Sequence, residues 1–120
     1  MAHILLADDD VTVRDMVRRA LVSEGHAVHV TQDGAEALDY LQANAARVDL
    51  LVTDVDMPQL DGLSLSQEAL ALKPELSIVL MSGFTDQLDR ASALNATRLV
   101  SIPKPFSLEQ IKQIVRLALG

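Results

Sequence analysis

Apolar residues in this chain come in short continuous runs that stop abruptly on polar or charged ones. Between the runs they recur at helical spacing. Residues 4–7 (Ile-Leu-Leu-Ala) run into Asp8-Asp9-Asp10. Residues 50–53 (Leu-Leu-Val-Thr) end on Asp54, followed by Met57-Pro58 and Gly62. Residues 77–81 lead into Ser82-Gly83, and 98–102 into Pro103-Lys104-Pro105-Phe106. Apolar runs of four to eight residues bounded by turn signals read as buried strands. Residues 26–30 alternate polar and apolar instead, which suits a strand at a sheet edge.

The intervening segments read as amphipathic helices. Val13, Met16, Val17, Ala20 and Leu21 mark the first, with Asp10 its most plausible cap and Gly25 its stop. Asp33 with Glu36 opens the second in the manner of a capping box, and Ala37, Leu38, Leu41 and Ala45 give its apolar face. Leu63, Leu65, Ala69 and Leu72 mark a third, stopped by Lys73-Pro74. A fourth, Ala- and Ser-rich, is capped by Thr85 or Asp86 and runs to Leu94; it is expected to be the least firmly packed. Ser107 with Gln110 forms a capping box for the last, which buries Leu108, Ile111, Val115 and Leu119.

Five strands alternating with five helices through short crossovers demand parallel pairing, hence a doubly wound, three-layer α/β domain. All strand C-termini then share one edge, where open α/β sheets bind ligands. That edge collects Asp8, Asp9, Asp54, Ser82 and Lys104.

Composition narrows the function. A length of 120 residues suits one domain spanning 1–120, with no room for an output domain. Hydrophobic residues make up 49%, so a core forms and disorder is not expected. The net charge of −7 argues against nucleic acid and against an anionic membrane surface. Without cysteine there is no disulfide and no zinc-thiolate site. No secretory signal and no apolar run near ~20 residues is present, so a cytoplasmic location is expected.

Carboxylates gathered at one edge repel one another, and their pKa values rise unless a cation joins them. Mg²⁺ prefers such oxygen donors. Lys104 adds a point charge suited to a phosphoryl group, and Ser82 a hydroxyl donor. Together they suit phosphoryl transfer, where positioning and charge neutralisation do most of the catalysis. An aspartate can itself become the acceptor. Taken singly the pieces are bland: Asp10 caps a helix, Ser82 is a turn residue and Lys104 a surface lysine. His3, His26 and His29 lack metal-ligand spacing and read as structural or exposed.

The ordered set Asp8-Asp9, Asp54 with Met57-Pro58 and Gly62, Ser82-Gly83 and Lys104-Pro105-Phe106 resembles the receiver domain of two-component response regulators over the whole chain. The opening segment, with Ser-Gly-Phe and Lys-Pro-Phe, is similar to small stand-alone receivers of the CpdR type. The later two segments are also similar to C-terminal receivers of hybrid histidine kinases. The resemblance implies a flavodoxin-like (βα)5 fold with strand order 2-1-3-4-5 between two helical layers. It implies Asp54 as phosphoacceptor, and Asp9, Asp54 and the backbone carbonyl of Asp56 as Mg²⁺ ligands. Asp8 would hold a metal-bound water, and Ser82 and Lys104 would contact the phosphoryl oxygens. A cis Lys104–Pro105 bond is also implied. The donor would be a histidine kinase or histidine phosphotransfer protein. The output would be contact with a downstream protein, from a monomer or weak dimer and not from an enzyme.

Two alternatives stand beside it. One is an unphosphorylated pseudo-receiver acting as an interaction module. The other is a phosphohydrolase, since Asp54-Val55-Asp56 resembles the Asp-x-Asp of haloacid-dehalogenase-type enzymes. The sequence departs from the receiver pattern at Ser101, where receivers usually carry Tyr or Phe. Phe84 is the expected substitute, lying over the site and slowing hydrolysis. Asp56 adds a carboxylate that either orients water or repels the phosphoryl group. Ile114 and Leu117 widen the last helix's apolar face, as ordinary packing or as a partner or dimer surface.

Overall fold

A computed structural model describes residues 1–83 and 98–120. The expected fourth helix and Phe84 lie outside the described residues.

Five strands are described: β1 (His3–Ala7), β2 (Ala27–Thr31), β3 (Leu50–Asp54), β4 (Ser77–Ser82) and β5 (Arg98–Pro103). They form one parallel sheet in the order β2-β1-β3-β4-β5, as the resemblance implies. Every residue of central β3 is buried, whereas edge strand β2 alternates exposed and half-buried positions before ending on buried Thr31. The described helices are α1 (Val11–Ser23), α2 (Gly34–Asn44), α3 (Gly62–Leu72) and α4 (Leu108–Leu119). Ala45, expected at the end of the second helix, falls instead in a short 3-10 turn, Ala45–Arg47.

Side chains alternate across a strand, so the sheet feeds two cores. Leu5, Ala7, Leu51, Ile78 and Leu80 meet Ala37 and Leu41 of α2 and Leu63, Leu65 and Ala69 of α3. Ile4, Leu6, Leu50, Val52, Val79, Met81 and Ile102 meet Val17, Ala20 and Leu21 of α1 and Ile111, Val115 and Ala118 of α4. These faces follow the 3.6-residue spacing at most positions. Leu72 and Leu108, expected on buried faces, instead lie exposed at a helix end and a helix start, and Leu119 is only half-buried while Ala118 takes the buried position.

The caps are local side-chain chemistry. Asp10 accepts from the Thr12 and Val13 amides, Asp33 from Glu36, and Asp61 from Ser64. Ser107 and Gln110 form both halves of a capping box. Gly25, past the end of α1, has φ +87°, a conformation that favours glycine.

Strand register then aims the polar ends. Ala7 pairs with Thr53, so Asp8 and Asp54 emerge side by side. Ser82 pairs with Pro103, so Lys104 follows directly beyond it.

Candidate functional site

Asp54 is the last residue of β3 and is only 6% exposed; Asp8, just past β1, is fully buried. Lys104 Nζ lies 3.2 Å from Asp54 Oδ1 and 3.4 Å from Asp8 Oδ2. One ammonium therefore bridges two carboxylates that come from strands 46 positions apart. The Lys104–Pro105 bond is cis. The Lys104 backbone N–H donates to the Ser82 carbonyl at 2.8 Å, which ties the lysine to the tip of β4.

Asp8 is anchored on every side. Its Oδ1 accepts the Asp10 amide at 2.8 Å, and its carbonyl accepts Arg14 Nη1 at 3.0 Å. Its own N–H donates to the Thr31 carbonyl at 3.3 Å. The cap residue of α1 thus also orients the acidic pocket through its main chain. Thr53, buried beneath the site, donates its hydroxyl to the Asp54 carbonyl at 2.9 Å.

Burial governs the titration here. Loss of water pushes the Asp54 carboxyl up to about 6, repulsion from Asp8 adds to this, and Lys104 works against it. Burial also raises Asp8, against the opposing pull of the Asp10 amide and Lys104. For Lys104 burial acts downward, but the two carboxylates outweigh it and its pKa ends above the ordinary value. Carboxylate repulsion, the cause anticipated from the sequence, is therefore second to desolvation at Asp54.

Of the expected site residues, Asp8, Asp9, Asp54 and Lys104 converge, with differences in exposure. One oxygen each from Asp8, Asp9 and Asp54 can lie within 4.8 Å of one another. Asp9 is exposed and leaves this cluster open to solvent, while Ser82 is buried at the tip of β4. Three hard oxygen donors, with two carboxyls that the fold makes costly to ionise, fit a divalent ion of the Mg²⁺ type. Asp56 lies in the loop beyond β3 with its side chain exposed. Ser101 is half-buried on β5. Of the histidines, His26 Nδ1 accepts the Ala2 N–H at 3.1 Å, and His29 stacks on Tyr40 with ring centroids 3.8 Å apart. His3 is exposed.

Sequence reasoning missed Thr53 and Arg14. Thr53 had a signal, a hydroxyl inside a strand buried on both faces, where polar groups need partners. Arg14 had none, since its bond reaches back six residues to a main-chain oxygen.

The response regulator receiver domain model matches residues 4–116. Response regulator MprA of Mycobacterium sp. strain KMS is 38% identical over 98% of this chain, which spans 50% of that protein. The chain thus spans about half the length of the curated relatives it matches. The response regulator TrrA of Thermotoga maritima, solved in complex with Mg²⁺–BeF, is 27% identical, with a TM-score of 0.85 over 99% of this chain and all of that one. The receiver domain of the hybrid histidine kinase CckA is 28% identical, with a TM-score of 0.83 over 99% of this chain and all of that one. The strand order, the acidic pocket and the family match agree, and the chain belongs to the response regulator receiver domains of two-component signalling.

Proposed function

We propose that this receiver is a phosphorylation-dependent switch with Asp54 as the phosphoacceptor. The observation that carries the reading is the position of Asp54: a buried carboxylate at a strand tip, 3.2 Å from Lys104 Nζ, beside Asp8 and Asp9. With a pKa of about 6, Asp54 is ionised and nucleophilic at neutral pH. Its carboxylate oxygen attacks the phosphorus of a phosphohistidine on a histidine kinase or phosphotransfer protein. The O–P bond forms as the N–P bond breaks. The imidazole nitrogen leaves with the bonding pair, and a proton on the other ring nitrogen makes the departing group neutral.

Asp8, Asp9, Asp54 and the Asp56 carbonyl are the groups that would hold Mg²⁺. When bound, the ion neutralises charge on the transferring phosphoryl group. Lys104 holds an Asp54 oxygen before transfer and stands ready to pair with a phosphoryl oxygen after it, joined by the Ser82 hydroxyl. The new charge biases a two-state element that a downstream protein reads.

The test is intact mass after incubation with Mg²⁺ and acetyl phosphate. The wild type gains one phosphoryl adduct that requires Mg²⁺ and is absent from Asp54→Ala. An adduct that persists in the variant refutes Asp54 as acceptor. Neither adduct nor Mg²⁺ binding points to the pseudo-receiver instead, and turnover of generic phosphate esters to the phosphohydrolase.

A further inference from the structure

The backbone carbonyl of Asp54 is gripped from two sides. Thr53 Oγ1 donates to it at 2.9 Å from within the buried strand. On the other side stands Gly62, the first residue of α3: a Cβ there would lie 2.1 Å from the Asp54 oxygen and 2.9 Å from its carbonyl carbon. Only a residue without a side chain brings the chain that close. The Gly62 N–H also donates to the Val55 carbonyl at 2.8 Å, and the Val55 N–H to the Met81 carbonyl at 3.0 Å. The loop leaving β3 therefore returns after eight residues and closes on the peptide from which it departed.

The turn has a further constraint. Gln59 takes φ +70°, and the Leu60 N–H donates to the Pro58 carbonyl at 2.8 Å. A non-glycine residue in that conformation persists where its surroundings over-determine it. Those surroundings include the Gly62 contact on one side. On the other, Gly34 approaches so closely that a Cβ would lie 2.1 Å from the Leu60 carbonyl oxygen.

We infer that Thr53 and Gly62 form a clamp that orients the Asp54 peptide for phosphoryl transfer, making both positioning residues. The inference rests on the reading of Asp54 as phosphoacceptor. A carboxylate joined to its backbone by one methylene follows any rotation of its peptide, and the same peptide plane leads into the loop that carries Asp56. Catalysis by positioning is sensitive to small displacements: a misplacement of ~1 Å costs up to ~100-fold.

Thr53 permits a test that separates positioning from stability. Thr53→Val keeps shape and adds apolar character inside a buried strand but removes the hydroxyl. Thr53→Ser keeps the hydroxyl and loses a buried methyl. The clamp predicts opposite orders for the two properties. Val retains the thermal midpoint yet is phosphorylated by acetyl phosphate about 10-fold more slowly and binds Mg²⁺ several-fold more weakly. Ser has a lower midpoint and a rate within about twofold of wild type. Gly62→Ala, where it folds, shows a loss at least as large as Val.

A Val variant with wild-type rate and Mg²⁺ affinity overturns the inference, and so does a Ser variant as slow as Val. Absence of any adduct on the wild type refutes the phosphoacceptor reading instead. Mg²⁺ affinity, followed by the metal-induced rise in midpoint, then decides the clamp alone, and equal affinities across the series overturn it.

Discussion

Asp54→Asn in metal-free buffer should make the protein more stable at neutral pH, and the structure gives the size. Asp54 is 6% exposed, and its pKa stands at about 6 against an ordinary 3.8. The folded state therefore holds the proton more tightly than the unfolded chain. Protonation contributes stability that is fully present below about 3.8 and is lost as pH rises through about 6. At about 1.4 kcal/mol per pH unit, ionised Asp54 costs about 3 kcal/mol above that window. Asparagine has nearly the same shape and no charge to desolvate. It gives up the 3.2 Å ion pair with Lys104, which retains Asp8 as partner. The net gain near pH 7.5 is about 2–3 kcal/mol, or roughly 8–12 °C in Tm for a domain of this size. Urea or thermal denaturation with EDTA at several pH values measures it. The difference should narrow between pH ~6 and ~4 and vanish below. An Asn variant no more stable than wild type at neutral pH, or a gain independent of pH, would refute the reasoning.

Other expectations follow from the same geometry. Lys104→Ala removes the cation shared by two buried carboxylates and should destabilise the metal-free protein at neutral pH by about 3 kcal/mol, with much of the loss recovered in saturating Mg²⁺; urea titrations with and without the ion decide this. His26 accepts the Ala2 amide through Nδ1, and burial lowers its pKa below 6.5, so its contribution to stability is complete above 6.5 and fades as pH falls further. An NMR titration of the ring with a midpoint at or above 6.5 would contradict that. Gly34→Ala drives a Cβ into the Leu60 carbonyl and should cost about 2–3 kcal/mol, whereas Gly25→Ala, with open space but φ +87°, should cost about 1–2 kcal/mol in the same denaturation assay.

Much of this was legible because strands buried on both faces stop where charge begins. Asp8, Asp54 and Lys104 announce themselves as polar residues at the ends of apolar runs, and parallel pairing brings such ends to one edge. Helix starts were legible where caps are local, as at Asp10 and at Ser107 with Gln110. Contacts set by three-dimensional approach left no comparable trace. Gly34 against Leu60 and Gly62 against the Asp54 carbonyl join segments whose separation only the packed structure closes, although Gly62 itself stood out with Met57-Pro58 after the buried strand. The balance of causes at Asp54 was also hidden, because charge repulsion can be counted from a sequence while burial of a particular carboxyl cannot. Ala45 shows the ordinary limit at helix ends, where the last turn tightens to 3-10.

The central claim is that Asp54 itself carries the phosphoryl group. Borohydride reduction of the acetyl phosphate-treated protein, followed by peptide mass mapping, reads this directly, since an acyl phosphate is reduced to an alcohol and leaves homoserine in place of the modified aspartate. The account predicts homoserine at Asp54, only when Mg²⁺ is present during phosphorylation, with Asp8, Asp9 and Asp56 unchanged. Homoserine at one of those three with Asp54 intact would contradict it.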